Sequence, residues 1–391
     1  MDKLATELLE EIFSQIDSPR DLLNLAIAYG RPSLTSQIIP RHTEYRDLRA
    51  DMTTPEVWAH LARRPDLTKN IRSIHGAHSP ILGTTHGGQP FTLMDEHDCN
   101  ARKQRREETI KNMTLALRSM THLKIFLCAF PANPSILREL SRMATLEQLN
   151  GFILSPGRPP TNIQHVVLDW NLPKLKDLQV KSFRNTDIPN LPMSQLLRQS
   201  GVSLQRLTIS ELCLNDVALD VHLPSLSYLK ITHDGHLVNP PPNLVQNIVT
   251  FLARHSSIND LAWNRKYGQI TFPRHVLPNL KMLRASTKVL RALDRSHNPS
   301  LDEASENPAG HTLVLSKLDI EYLHAPISIA ELNALCCLNR ECLKRFCVDT
   351  EEPFAEVKRM GELFPSIQCL SFSCPPTFKL VIPLYLHDSF L

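Results

Sequence analysis

The sequence predicts an α/β protein, in which N-terminal helices precede an array of short parallel strands and helices. Two observations lead to this class. The first fifty residues carry apolar side chains at helical spacing, and from about residue 120 a strand-like unit recurs every 22 to 35 residues. Alternation of short strands and helices at such intervals is typical of a solenoid, in which each repeat packs on its neighbours.

The N-terminal helices are predicted to be amphipathic. Helix one, over 4–16, places its large apolar residues on an arc of roughly 180°, which is wider than the ~100° stripe that one core requires. Ser18 is predicted to cap helix two, which would begin at Pro19. A short third helix is predicted to begin at Pro32. A unit of about 45 residues buries too little surface to be stable alone. Its wide apolar face is therefore covered either by the rest of the chain or by a second polypeptide.

These helices resemble the F-box. The pattern runs from Leu4-Ala5-Thr6-Glu7-Leu8-Leu9 through Ile12-Phe13 to the Asp21-Leu22-Leu23 helix, and the resemblance covers residues 3 to about 48. F-boxes usually have Pro where this chain has Ala5. The resemblance implies docking to the Skp-family adaptor of cullin–RING ubiquitin ligases. The residues that match the family's adaptor contacts are Leu4, Glu7, Leu8, Ile12, Phe13, Leu22 and Leu23. The alternative is an ordinary helical cap.

Residues 1–48 are thus assigned to the F-box, and residues 49–119 are predicted as a transition segment. Pro55 begins a helix whose Trp58 is a core anchor, and 71–74 forms a short strand. Residues 75–100 lack periodicity, which predicts an exposed loop. The basic run 102–106 is interpreted as a solvated helix start rather than a nuclear-import patch.

From 120 to 391 the recurring unit is apolar-x-x-apolar-x-apolar, as in Leu226-Ser227-Tyr228-Leu229-Lys230-Ile231. The first apolar residues of the copies are Leu123, Leu146, Leu175, Leu204, Leu226, Ile258, Leu280, Leu315, Leu343 and Ile367. Helix-like stretches lie between copies, at 244–252, 329–338 and 354–364. The array resembles the irregular leucine-rich repeats of divergent fungal-type F-box proteins. That resemblance implies a solenoid with parallel strands and with helices on its convex side.

The strands also suggest where a partner binds. Because side chains alternate along a strand, residues between the inward apolar positions line the exposed concave sheet. Tyr and Arg, which are enriched at binding hot spots, are among them. The predicted target-binding residues are Arg206, Tyr228, Lys230, Asp260, Arg284, Lys317, Asp319 and Arg345. For any single one of them, the alternative is an ordinary solvated strand position.

Composition excludes several classes of function. Hydrophobic residues make up 42% of the chain, and the net charge of +3 gives no support to a nucleic-acid or membrane surface. The nine cysteines are an odd, scattered set, which favours a reducing compartment. The start lacks the pattern of a secretory signal, so a cytoplasmic or nuclear location is expected.

No catalytic motif is found, and no enzyme activity, cofactor or metal site is predicted. The nucleophile elbow, the phosphate-binding loop and His-Glu-x-x-His are all missing from the sequence. The pairs His75/His78 and His233/His236 have no cysteines at zinc-finger spacing. The cysteines at 336, 337, 342 and 347 are interpreted as core packing.

The sequence thus predicts a substrate-recognition subunit of a Skp–cullin–F-box ubiquitin ligase, with the repeats holding a target protein. Two alternatives stay open. One is a repeat scaffold whose N-terminal helices only cap the array. The other is an enzyme that uses the His-rich loop at 75–97.

Overall fold

The protein is described by a computed structural model. The described residues are 6–16, 18–29, 45–50, 55–76, 96–131, 133–154, 170–182, 193–217, 221–232, 241, 243–265, 269–297, 315–320, 344–349, 366, 368–374 and 378–383. The chain divides into two compact units. Unit 1 comprises Met1–Phe183 and Asp187–Ser203, and unit 2 comprises Arg184–Thr186 and Leu204–Leu391.

The described helices and strands alternate along most of each unit. Unit 1 contains α1 (Thr6–Gln15), α2 (Pro19–Tyr29), β1 (Asp47–Ala50), α3 (Pro55–Arg63), α4 (Pro65–Thr68), β2 (Ser73–Gly76), α5 (Glu96–Ser119), β3 (Ile125–Pro131), α6 (Pro134–Ser141), β4 (Gln148–Leu154), β5 (Asp177–Ser182) and α7 (Met193–Ser200). Unit 2 contains β6 (Arg206–Ser210), α8 (Glu211–Val217), β7 (Tyr228–Thr232), α9 (Leu244–Arg254), β8 (Asp260–Trp263), β9 (Met282–Ala285), α10 (Thr287–His297), β10 (Lys317–Ile320), β11 (Arg345–Asp349), β12 (Cys369–Cys374) and β13 (Phe378–Pro383).

The strands are parallel neighbours in chain order. In unit 1, β1 to β5 pair successively, and in unit 2, β6 to β12 do the same. The predicted α/β class with parallel strands is therefore confirmed. One departure is the last pair, because β13 runs antiparallel to β12. A second is that the parallel sheet begins at β1 and β2, well before residue 120.

The repeated apolar positions form the core. The first apolar residue of each copy from Leu123 to Leu315 is at most 2% exposed, and the residue three positions later is buried equally well. The first apolar residues of the last two copies, Leu343 and Ile367, lie outside the described residues, while their strands are β11 and β12. Helix α9 covers the predicted stretch 244–252 and buries Ile248, Phe251 and Leu252. Because side chains alternate along each strand, one face of the sheet is apolar, and the connecting helices cover that face.

A pair of backbone bonds recurs where one strand meets the next. The carbonyl of Lys124 accepts from the N–H groups of Glu147 (2.7 Å) and Gln148 (3.0 Å). In unit 2, the Gln205 carbonyl accepts in the same way from Ser227 and Tyr228, at 2.9 and 3.0 Å. Each carbonyl stands just before a strand, so it fixes where the next strand begins.

A side-chain hydroxyl ladder accompanies these bonds. Ser257 Oγ donates to the carbonyl of Leu226 at 2.7 Å, and Ser203 Oγ donates to that of Leu175 at 2.9 Å. Thr145 Oγ1 makes the equivalent bond to Leu123 at 2.8 Å. In each case the donor directly precedes a first apolar residue, and the acceptor is the first apolar residue of the preceding copy.

The N-terminal helices form close to their predicted positions. Helix α1 matches the predicted 4–16, and α2 begins at Pro19, where the Ser18 hydroxyl accepts from the Asp21 N–H at 3.3 Å. Trp58 on α3 is fully buried, as expected of a core anchor. The predicted third helix at Pro32 lies outside the described residues.

The stretch predicted as a loop over 75–100 is only partly described. Residues 75 and 76 end β2, and 96–100 open the long helix α5, so both ends of the predicted loop belong to regular elements. Arg105 in the basic run is exposed on α5, in agreement with a solvated helix start. Residues 77–95, like the predicted helices at 329–338 and 354–364, lie outside the described part.

Candidate functional site

The first candidate surface is one side of α1, where two large apolar side chains remain in solvent. Leu8 is 54% exposed and Ile12 is 41% exposed, four residues apart on the same helix. Residues at this spacing are neighbours on a helix surface. We call Leu8 and Ile12 the α1 patch.

Two other predicted adaptor contacts, Phe13 and Leu22, are not on this patch. Phe13 is 3% exposed and Leu22 is 1% exposed, so both are core residues rather than contacts open to a partner. This corrects the sequence-based assignment, which could not tell the inner side of a wide apolar arc from the outer side. Leu4 and the side chains of Glu7 and Leu23 lie outside the described part of the chain.

Arg46 anchors the end of α1. This residue directly precedes β1 and is 3% exposed. Its guanidinium donates to the carbonyl of Phe13 at 2.6 Å and to the carbonyl of Ile16. The last carbonyls of a helix have no partner within the helix, and here a charged donor bonds to that of Phe13 in the last turn and to that of Ile16, one residue past the end of α1. The buried side of α1 is thereby held in place, with the α1 patch left on the outside.

The second candidate surface lies on the strands of unit 2. The first residues of its parallel strands are aligned, and so are the residues two positions later. The first row reads Arg206, Tyr228, Asp260, Met282, Lys317, Arg345 and Cys369. The second row reads Thr208, Lys230, Ala262, Arg284, Asp319, Cys347 and Ser371. We call the two rows together the ladder face.

All eight predicted target-binding residues fall on the ladder face. The aligned residues between the rows, from Leu207 to Leu318, are at most 1% exposed. In contrast, Arg206 and Arg345 are exposed, and Tyr228, Lys230 and Asp260 are half-buried. The predicted alternation of inward and outward positions is therefore confirmed for these residues, whereas Thr208 and Ala262, in the second row, are buried.

The ladder face is basic. It holds five residues with positive side chains and two with negative ones. The basic residues are Arg206, Lys230, Arg284, Lys317 and Arg345, and the acidic ones are Asp260 and Asp319. The guanidinium carbon of Arg206 lies 4.2 Å from the centre of the Tyr228 ring, which is a cation–π contact.

The corresponding rows of unit 1 have a different charge. They contain Arg49 as a basic residue, with Asp47 and Asp177 as acidic ones. His75 is half-buried in the same rows, beside Arg49. A basic strand surface is therefore a property of unit 2 and not of the repeated architecture itself.

A buried polar network stands near the end of β8. Glu211 is fully buried and accepts from Trp263 Nε1 at 2.8 Å and from Arg265 at 3.0 Å. The carbonyl of Arg265 accepts in turn from the Ser286 hydroxyl at 2.8 Å. The sequence carries no signal for this network, because an acid at a helix start is ordinarily solvated and the two partners of Glu211 lie more than fifty residues away.

The described residues give no sign of a metal centre or of a bilayer span. They contain no group of three or more His, Cys, Asp or Glu residues arranged to bind a metal ion. His78 and the pair His233/His236 lie outside the described residues. None of the described helices is long and apolar enough to cross a membrane.

No protein-family model matches the chain, and no curated protein matches it significantly.

Proposed function

We propose that this chain is the substrate-recognition subunit of a Skp–cullin–F-box ubiquitin ligase. In this proposal α1 and α2 dock a Skp-family adaptor, and the ladder face of unit 2 holds a target protein. The chain itself carries out no chemistry. It converts the encounter between target and ubiquitin-transfer enzyme into an event within one complex, which raises their effective concentration.

The α1 patch is the observation that carries this proposal. The apolar arc of α1 is wider than its own core needs, and its outer side retains Leu8 and Ile12 in solvent. Leu8 and Ile12 are already about half buried, so burying the rest of each side chain in a partner would contribute about 1 kcal/mol each. The F-box resemblance places adaptor contacts at these same two positions.

The test is co-purification of the full chain with a Skp-family adaptor. We expect the wild-type chain to capture the adaptor and the Leu8→Asp/Ile12→Asp variant to lose at least tenfold in affinity. Both substituted residues are exposed, so the variant is expected to keep its circular dichroism spectrum. Phe13 is unsuitable for this purpose, because a charge at a buried position would disrupt folding.

Leu115→Asp/Val202→Asp is the matched control. Leu115 is 41% exposed and Val202 is 77% exposed, so this variant makes the same change at two other exposed apolar positions. It should bind the adaptor like the wild type. A folded wild-type chain that fails to capture the adaptor would contradict the proposal, as would equal loss of binding in the two variants.

The alternative that the helices only cap the strands is supported by the inner side of α1. Phe13 and Leu22 are buried, and Arg46 ties α1 to the start of β1. A cap of this kind predicts a folded chain with no affinity for the adaptor. The same co-purification therefore separates a ligase receptor from a repeat scaffold.

A further inference from the structure

We propose that the partner segment held on the ladder face is acidic. This inference rests on the proposed function, because it specifies the chemistry of the target that the same surface would hold. It depends on the arrangement of charge on unit 2, and it assigns no role to the N-terminal helices.

The excess of positive charge is the first argument. Between Arg206 and Arg345 the ladder face has five basic and two acidic residues, a formal charge of +3. The whole chain has the same net charge of +3. The face therefore holds as much net charge as all 391 residues together, while the rows of unit 1 are slightly negative.

The position of two of these cations is the second argument. Lys317 and Arg345 are register partners on adjacent parallel strands, and each is the first residue of its strand. Lys317 is half-buried and Arg345 is exposed. Neighbouring strands lie about 4.8 Å apart. A carboxylate of the partner seated between these two side chains would attract both cations at once, so Lys317 and Arg345 are expected to contribute most to binding.

The length of the partner segment follows from the strand spacing. From β6 to β11 the first row crosses six strands, or about 24 Å. An extended chain advances about 3.3 Å per residue, so a segment of about seven residues would cross the face. Tyr228 and Met282 stand between the charged positions of this row and offer apolar contacts to it.

A protein segment fits this face better than a nucleic acid. Asp260 lies in the middle of the first row and Asp319 is in register with Arg284. An unbroken phosphate backbone would have to place negative charge beside both acids. A peptide can place neutral or basic residues there, because its charge varies from residue to residue.

The test is direct binding of labelled peptides to the full chain. The probe is fluorescein-labelled heptaglutamate, followed by fluorescence anisotropy. Heptalysine and an alternating Ser–Gln heptapeptide are the charge controls, and a DNA octanucleotide with the same number of negative charges represents nucleic acid. We expect heptaglutamate to bind at least tenfold more tightly than any of the other three, and to weaken as salt rises from about 50 to 200 mM.

Two variants locate the binding. Lys317→Glu/Arg345→Glu should weaken heptaglutamate binding at least tenfold, and Lys317→Gln/Arg345→Gln should weaken it by a smaller factor. The matched control is Lys288→Glu/Arg295→Glu, which reverses two exposed charges on α10 and should stay within twofold of the wild type. Circular dichroism establishes that each variant is folded.

Three outcomes would overturn the inference. They are equal binding of the neutral peptide, tighter binding of the octanucleotide, and equal loss of binding in the α10 control. Adaptor capture is measured separately, on the α1 patch. If the adaptor binds and heptaglutamate does not, only the acidic partner is rejected. If heptaglutamate binds and the adaptor does not, the ligase function is rejected.

Discussion

At the scale of single residues, the Glu211 network makes the sharpest stability prediction. Glu211→Ala would leave the guanidinium of Arg265, itself 5% exposed, without its carboxylate. Removing one partner of a buried ion pair costs about 3–5 kcal/mol. Glu211→Gln should cost less, because the amide oxygen still accepts from Trp263. Urea denaturation followed by tryptophan fluorescence measures both free energies of unfolding.

An exposed ion pair is the control for this measurement. Lys176 Nζ lies 2.8 Å from a carboxylate oxygen of Glu147, with about half of the Lys176 side chain exposed. Lys176→Ala should change the free energy of unfolding by less than about 1 kcal/mol. Equal effects of Lys176→Ala and Glu211→Ala would show that burial of Glu211 does not set the strength of its interactions.

His255 makes a prediction about pH. It is buried, its Nδ1–H donates to the Phe251 carbonyl at 2.7 Å, and its Nε2 accepts from the Leu223 N–H at 2.9 Å. This pairing requires the neutral ring. Burial lowers the pKa of His255 from its ordinary value, opposed by the hydrogen bond to Phe251, while His222 and Arg254 lower it further.

Because the folded-state pKa is the lower one, the unfolded chain binds the proton more readily. The contribution of His255 is therefore present above the ordinary pKa of about 6.5 and is lost as the pH falls through the folded-state pKa. The measurement is the urea midpoint at neutral and at mildly acidic pH. We expect acid to lower the midpoint less in His255→Gln than in the wild type. The control is His60→Gln, at an exposed histidine, in which acid should lower the midpoint as much as in the wild type. If acid also lowers the midpoint of His255→Gln by the wild-type amount, His255 does not contribute to the acid sensitivity.

At the scale of elements, the hydroxyl ladder is predicted to hold neighbouring strand starts together. Ser257→Ala removes the bond to the Leu226 carbonyl and should lower the free energy of unfolding by about 1 kcal/mol. The adjacent Ser256 is exposed, so Ser256→Ala is a control expected to change it by less than about 0.5 kcal/mol. If the two substitutions have equal effects in urea denaturation, the ladder contributes nothing beyond local solvation.

Elements differ in how well the sequence predicted them. Strand β7 was predictable because Leu226, Leu229 and Ile231 mark its buried side, and buried positions tolerate few polar residues. Strand β1 was missed, because Asp47–Ala50 offers too few apolar positions to establish a period. Helix α10 was also missed, since its apolar residues are diluted by Lys288, Arg291 and Arg295, which its solvent side requires.

At the scale of the whole molecule, the candidate surfaces were predictable to different degrees. The ladder face could be predicted residue by residue, because strand alternation fixes which side of the sheet each residue occupies. The α1 patch could be predicted only as part of a wider arc. Whether Ile12 or its neighbour Phe13 faces solvent depends on Arg46 and the packing behind α1, which are tertiary facts.

The carbonyl that precedes a strand, as at Gln205, aligns the next strand, whatever the length of the segment that connects the two strands. Because it receives both N–H groups at the start of the following strand, about six residues of each copy decide how neighbours line up. The connecting segments differ in length from copy to copy, whereas the described alignment bonds lie in these residues and in the hydroxyl donor directly before them. Insertions or replacements between copies would therefore leave the order of side chains on the ladder face intact, so its recognition chemistry and the chain's connectivity are free to diverge independently.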